Sequence, residues 1–261
     1  MKGFLGEFLG TFVLLLTACG SSGSVKDVAF EAFETAKTVS ISSEAGSPQC
    51  SVRLHLAEAK SGNEGRDKAI NGTVARELLN VETDDLKAAA DSFAGRYTSD
   101  YRHHLAALYG EDRGEPERKA WYEYHYNIWS EASEGREGVV VYTSTIDYYE
   151  GGAHGISQKR VMNFDAATGD RLTLGDVLAP GYEQRLNALL LQKLTEKAGA
   201  RNLDDLREKG YLYAMDMFTP ENYVLGSDDV TFVYNAYEIA PYAMGVIELK
   251  VDNDELEGLW K

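Results

Sequence analysis

The chain has 261 residues, 44% hydrophobic and 11% aromatic, enough apolar material for one large domain or two small ones with a substantial core. Forty-two acidic residues against 26 lysines and arginines leave a net charge of −16. That balance argues against nucleic acid as a partner, since phosphate binding needs a basic face; its first reading is a solvated acidic surface that keeps the protein soluble, and a cationic protein would be steered towards it.

At the N-terminus, Lys2 precedes an uncharged run from Phe8 to Ala18, and Leu16-Thr17-Ala18-Cys19 follows the pattern of a lipoprotein cleavage site. The run is too short to span a bilayer, which takes roughly 18 or more apolar residues. Residues 1–18 are read as a signal peptide, Cys19 as the lipidated first residue, and 19–33 as a tether. Gly20-Ser21-Ser22-Gly23-Ser24 is a flexible spacer. The competing reading of the same residues is a buried N-terminal helix with a core cysteine. Similarity to bacterial lipoproteins implies a multiply acylated Cys19, because one chain anchors only marginally. Beyond Cys19 only Cys50 remains, so no internal disulfide is expected. Cys50 opens a strand-like run and reads as a buried small hydrophobe.

Thr38–Ser43 and Cys50–Ala57 alternate with period two and predict strands joined through Gly46-Ser47-Pro48. Asp67–Leu79 and Asp84–Tyr109 predict helices, the second capped by Thr83 and broken by Gly110–Pro116. Three strands follow: Trp121–Glu131, with Tyr122, Tyr124, Tyr126 and Ile128 on one face and Trp121, Glu123, His125 and Asn127 on the other, then Gly138–Tyr149 and Ser157–Phe164. Short connections imply antiparallel pairing. A turn at Asp165–Asp170 leads to an amphipathic helix over Tyr182–Ala198, with Leu186, Leu189, Leu190 and Leu194 at helical spacing. Strands are predicted at Asn222–Leu225, Val230–Tyr234 and Val246–Val251, with a closing helix over Asp252–Leu259. The class is α+β: antiparallel sheets with helices packed on them, in two closely associated subdomains, 34–168 and 169–261.

Two passages carry a family resemblance. Tyr148-Tyr149-Glu150-Gly151-Gly152-Ala153-His154-Gly155 is followed by Asn163-Phe164-Asp165, Thr168-Gly169 and Leu172 to Leu178. Later come Val230–Tyr234 and Tyr237-Glu238-Ile239-Ala240-Pro241-Tyr242-Ala243-Met244-Gly245. Together they resemble the paired extracytoplasmic domains of unknown function of many bacterial lipoproteins. Similar domains form the extracellular part of a lysozyme-sensing anti-sigma factor and an N-terminal, non-catalytic portion of some peptidoglycan deacetylases. The resemblance is strongest over about residues 142–259. It implies a tethered envelope protein, with cell-wall fragments or a lysozyme-like cationic protein as candidate ligands.

His154 is the most reactive-looking residue, in a Gly-rich turn beside Tyr148, Tyr149 and Glu150. A lone histidine with one carboxylate is a poor zinc set, and no HExxH, paired CxxC, GxSxG or P-loop accompanies it. His103-His104 on a helix points its rings about 100° apart and does not make a joint ligand pair. No catalytic residue, metal or cofactor is assigned. The candidate ligand or partner surface comprises Tyr148, Tyr149, Glu150, His154, Tyr237, Glu238 and Tyr242. The expected function is a lipid-anchored, non-enzymatic binding protein of the cell envelope, placed most naturally at the outer membrane or cell surface. The alternatives are a hydrolase of cell-wall glycans using His154 or Glu238, and a structural part of a surface assembly. Between Tyr211 and Lys261 ten acidic residues face only Lys250 and Lys261, a net of −8, which fits a cationic partner.

Overall fold

The structure, a computed structural model, describes residues 23–25, 28–112 and 114–261. Cys19 and the residues read as signal peptide lie outside them. The element order is β1 (Gly23–Val25), β2 (Val28–Ser40), β3 (Gln49–Ala59), α1 (Glu64–Leu79), α2 (Leu86–Asp112), β4 (Tyr124–Glu134), β5 (Val139–Tyr149), β6 (Ile156–Asp165), β7 (Arg171–Leu172), α3 (Leu174–Val177), α4 (Glu183–Lys197), α5 (Leu203–Glu208), β8 (Tyr223–Leu225), β9 (Asp229–Tyr234) and β10 (Ile247–Asp252). The α+β class holds.

β2 begins at Val28, inside the stretch read as tether, ten residues before the alternation at Thr38. Its Ala- and Glu-rich first half has no strand signature of its own. Continuous antiparallel pairing with β3, from Phe30↔Ala59 to Ser40↔Gln49, holds it extended instead. After β3, Asn63 caps α1 by accepting from Arg66 N, and α1 ends on Asn80 at φ 51°. The cap of α2 is Asp85, whose carboxylate accepts from Ala88 N at 2.9 Å, while Thr83 accepts from Asp85 N one step earlier. The two helices carry the chain back across the sheet, so β4 lies parallel to β3, in register Cys50↔Tyr124. The large sheet is therefore mixed, in the order β1 to β7, antiparallel everywhere except at that junction.

The inner face of this sheet buries Leu54, Leu56, Ile128, Tyr142 and Phe164 against Ile70, Val74, Leu79, Leu86 and Ala90 of α1 and α2. Where the ladder between β3 and β4 ends, after His55↔Trp129, Ala57 N donates to the hydroxyls of Ser130 and Tyr142, at 3.1 and 3.3 Å, so this buried N–H is not stranded. The opposite face is covered at one end only. There Val139, Val141 and Val161 meet α4, through Leu186, Leu190 and Leu194, and a three-stranded antiparallel sheet in the order β10-β9-β8.

No strand ladder joins the two parts; side-chain amides do, with one backbone bond from Arg136 N to Leu225 O at 2.8 Å. β6 has β5 on one edge, and β7 covers only Asn163 and Phe164 on the other. Asn222 accepts from Val161 N at 2.7 Å and donates to Lys159 O at 2.7 Å. Asn235 accepts from Lys159 N at 2.7 Å, and Asn163 donates to Tyr223 O and accepts from Leu225 N. All three amides are buried and stand in for a missing strand.

The expected closing helix over Asp252–Leu259 does not form. Successive i→i+3 turns replace it, with Gly258 at φ 77°, because the chain must double back to bridge Trp260 to Leu178. The short helix α5 falls between Ala198 and Asn222, where the sequence predicts no element. No helix among the described residues is long and apolar enough to cross a membrane.

Candidate functional site

The β5–β6 hairpin and the β9–β10 loop meet at one rim of the molecule. The hairpin turn needs its glycines for different reasons. Gly151 sits at φ 80°, where a Cβ would lie 2.7 Å from Trp121 O; Gly155 has ordinary φ, but a Cβ there would lie 2.9 Å from Tyr148 O. His154 projects from this turn and stacks on Tyr242, centroids 3.9 Å apart at 20°. Tyr242 in turn donates its hydroxyl to Gly155 O at 2.9 Å. His154 Nδ1 is 2.9 Å from Gly155 O, and its Nε2 is 3.4 Å from the Tyr237 hydroxyl. Tyr237 completes the cluster, 5.6 Å from Tyr242.

Tyr237 stands at φ 73°, which is costly for a bulky side chain, yet the residue is 60% exposed. The loop around it is held on both sides. Asn235 N donates to Glu238 Oε2 at 2.9 Å, Tyr237 N donates to Ala240 O, and Leu212 N donates to Ile239 O. Glu238 thus closes its own loop. It also edges a separate recess of about 150 Å³ with Glu77, Arg160, Arg171 and Asn222, away from His154.

The remaining sequence candidates go elsewhere. Tyr148 lies on the inner face, stacked on Tyr126 at 5.6 Å, and Tyr126 packs on Phe93 and Tyr97. Glu150 accepts from the Tyr97 hydroxyl at 2.7 Å, at the mouth of a cleft of about 370 Å³ that also holds Asp100, Tyr101, His104 and Tyr124. Burial and that bond to Glu150 push the Tyr97 phenol well above its ordinary range. Tyr149 points to the outer face and stacks on His125 at 6.1 Å. The structure therefore brings together His154, Tyr237 and Tyr242, ties Tyr149 to the same turn through its hydroxyl bond to Gly152 O at 2.9 Å, and directs Tyr148, Glu150 and Glu238 elsewhere. Neither carboxylate is a partner of His154, and among the described residues no group of three or more His, Cys, Asp or Glu side chains converges to hold a metal ion. Cys50 is fully buried, and burial pushes its thiol up to about 12.

Two features escaped the sequence. A recess of about 390 Å³ in the C-terminal part lies between Arg171, Thr173, Tyr182, Glu183, Asn187 and Glu221, residues that no motif links. The other is Trp129, 61% exposed on the outer face of β4. Its signal was available: it continues the polar row His125, Asn127.

Residues 175–254 match the model of a family described as a protein of unknown function (DUF3298). Over nearly its whole length the chain is similar to a solved DUF3298-family protein from Bacteroides fragilis, at 25% identity and a TM-score of 0.82, covering 93% of this chain and 95% of that one. A DUF3298-family protein from Pseudomonas aeruginosa shares the fold at 22% identity and a TM-score of 0.61, with 90% and 96% covered. No curated protein matches the chain.

Proposed function

We propose, with a body that carries a DUF3298 region as the premise, that this chain is a lipid-anchored envelope protein that binds a cationic, lysozyme-like protein through the rim of Tyr237, Tyr242 and His154. The observation that carries the reading is Tyr237. A bulky residue held at positive φ and largely exposed gains nothing for the core, and strain of this kind collects at binding surfaces. Exposed tyrosines are characteristic anchors of protein interfaces. The net charge of −16 adds long-range attraction for a basic partner. His154 serves as a stacked support for the rim, with both ring nitrogens engaged by the protein. The resemblance to lysozyme-sensing domains supports the same ligand class, and a peptidoglycan fragment is the second ligand to assay at this rim.

The test uses the full-length protein in detergent. Binding to hen lysozyme is expected to weaken as salt rises from about 50 to about 300 mM, and Tyr237→Ala is expected to weaken it about tenfold or more. Cys19→Ala is expected to move the protein from the membrane to the soluble fraction. Absence of salt-sensitive binding to lysozyme, together with no binding of muropeptides, overturns the ligand assignment.

A further inference from the structure

Among the described residues nothing covers the outer face of β3, β4 and β5 beyond the Val139–Val141 end, and register arranges its side chains in rows. Arg53, Asn127 and Asp147 stand opposite one another on the three strands; His55, Trp129 and Thr145 form the next row. Trp129 is 61% exposed, and its orientation is fixed from behind. The His55 ring lies against the indole, centroids 4.5 Å apart, and His55 Nε2 is anchored 2.5 Å from Glu34 Oε2. The aromatic surface is therefore ordered before any ligand arrives.

Beside it lies unspent hydrogen-bonding capacity. Among the described residues the side chains of Asn127, Thr145 and Asp147 have no hydrogen-bond or ion-pair partner; Asn127 is half-buried, and Thr145 and Asp147 are exposed. Arg53 reaches only a 4.0 Å contact with Glu34. These groups line a recess of about 300 Å³, at the small end of ligand sites. Arg53 offsets one of the two carboxylates here, Glu34 and Asp147, on a chain whose net charge is −16. A single indole ringed by polar groups is a poor match for a protein interface, whose buried centre is apolar. It matches a pyranose, which offers one C–H face to an aromatic ring and a girdle of hydroxyls to donors and acceptors around it.

The same face extends further. Four residues from Trp129 along β4, roughly 13 Å at strand rise, His125 stacks on Tyr149 at 6.1 Å. Two aromatic surfaces on one face, separated by the polar row, suit a chain of sugars better than a single ring.

We propose that this face binds a neutral oligosaccharide of pyranose units, one ring stacked on Trp129 and its hydroxyls held by Arg53, Asn127 and Asp147. The site shares no residue with the rim of Tyr237, so the two readings stand or fall separately.

Full-length protein in detergent is titrated with chitotetraose and with maltotetraose, followed by tryptophan fluorescence and calorimetry. Saturable binding of either sugar is expected. Trp129→Ala should weaken it by about tenfold or more, the scale of losing one aromatic stacking partner. Asn127→Ala should weaken it severalfold, whereas Tyr237→Ala should leave it unchanged. Lysozyme binding should in turn be indifferent to Trp129→Ala. The proposal is overturned if neither sugar binds the wild-type protein, or if Trp129→Ala binds as the wild type does. It is equally overturned if that variant loses a protein partner while the sugars never bind.

Discussion

Tyr237 and Cys50 show opposite uses of a single side chain. Tyr237 accepts backbone strain to hold a ring in solvent, whereas Cys50 gives up reactivity to fill space. Cys50 is fully buried beside Ile41, Tyr101 and Tyr122, and burial, with the Glu150 charge second, pushes its thiol up to about 12. At pH 8 it is therefore a thiol and not a thiolate. Iodoacetamide is expected to leave Cys50 unmodified in the native protein and to label it fully in denaturant, as mass spectrometry of the tryptic peptide would report. Rapid native labelling would show that the pocket opens, and would contradict the burial.

At the scale of elements, the decisive groups are the amides that finish the open edge of β6. Asn222→Ala removes both bonds to β6 and leaves Val161 N–H without its acceptor in a buried seam. The expected cost is about 2–4 kcal/mol of stability, read as a fall in the urea midpoint; a loss below about 0.5 kcal/mol, the level of an ordinary surface change, would mean that the seam is wet. These residues also mark where sequence reading stops. Helix α4 was legible because Leu186, Leu190 and Leu194 repeat at helical spacing and all three are buried. Strands β4 to β6 were legible by alternation. Asn222 reads only as the start of a strand and Asn235 as the residue just past one, since nothing in one chain's local pattern records a hydrogen bond to a strand more than sixty residues away. The first half of β2 was hidden for the same reason, its partner β3 supplying what its composition lacks. At the rim, the Gly-rich turn and the Tyr237–Gly245 loop could be singled out separately. Their meeting, His154 on Tyr242, is a tertiary fact. Glu150 and Glu238, adjacent to these motifs in sequence, are turned into other recesses by the alternation of the strand and the closure of the loop.

For the molecule as a whole, buried phenols set the response to alkali. Burial raises Cys50 and Tyr126 to about 12 and pushes Tyr101, Tyr142, Tyr223 and Tyr234 upward as well. Each group keeps its proton longer in the native state than in the unfolded chain. Their contribution is complete below the unfolded values of 9.0 for Cys50 and 10.0 for tyrosine and is lost as pH climbs towards about 12. Thermal melts are expected to be flat between about pH 7 and 8.5 and to fall progressively above about pH 9. A melting temperature that held constant to about pH 11 would contradict this.

The asparagine seam has a consequence for how this molecule can be divided. Its two larger hydrophobic cores lie on opposite faces of one sheet, so a cut after β7 would not release a finished domain. The shortened chain would present Val139, Val141 and Val161 to water and leave the backbone of β6 from Lys159 to Val161 without its amide partners. That is an adhesive edge, ready to recruit the same strand of a neighbouring copy. The C-terminal part therefore acts as a cover for the sheet that precedes it, and its removal would open that edge to self-association.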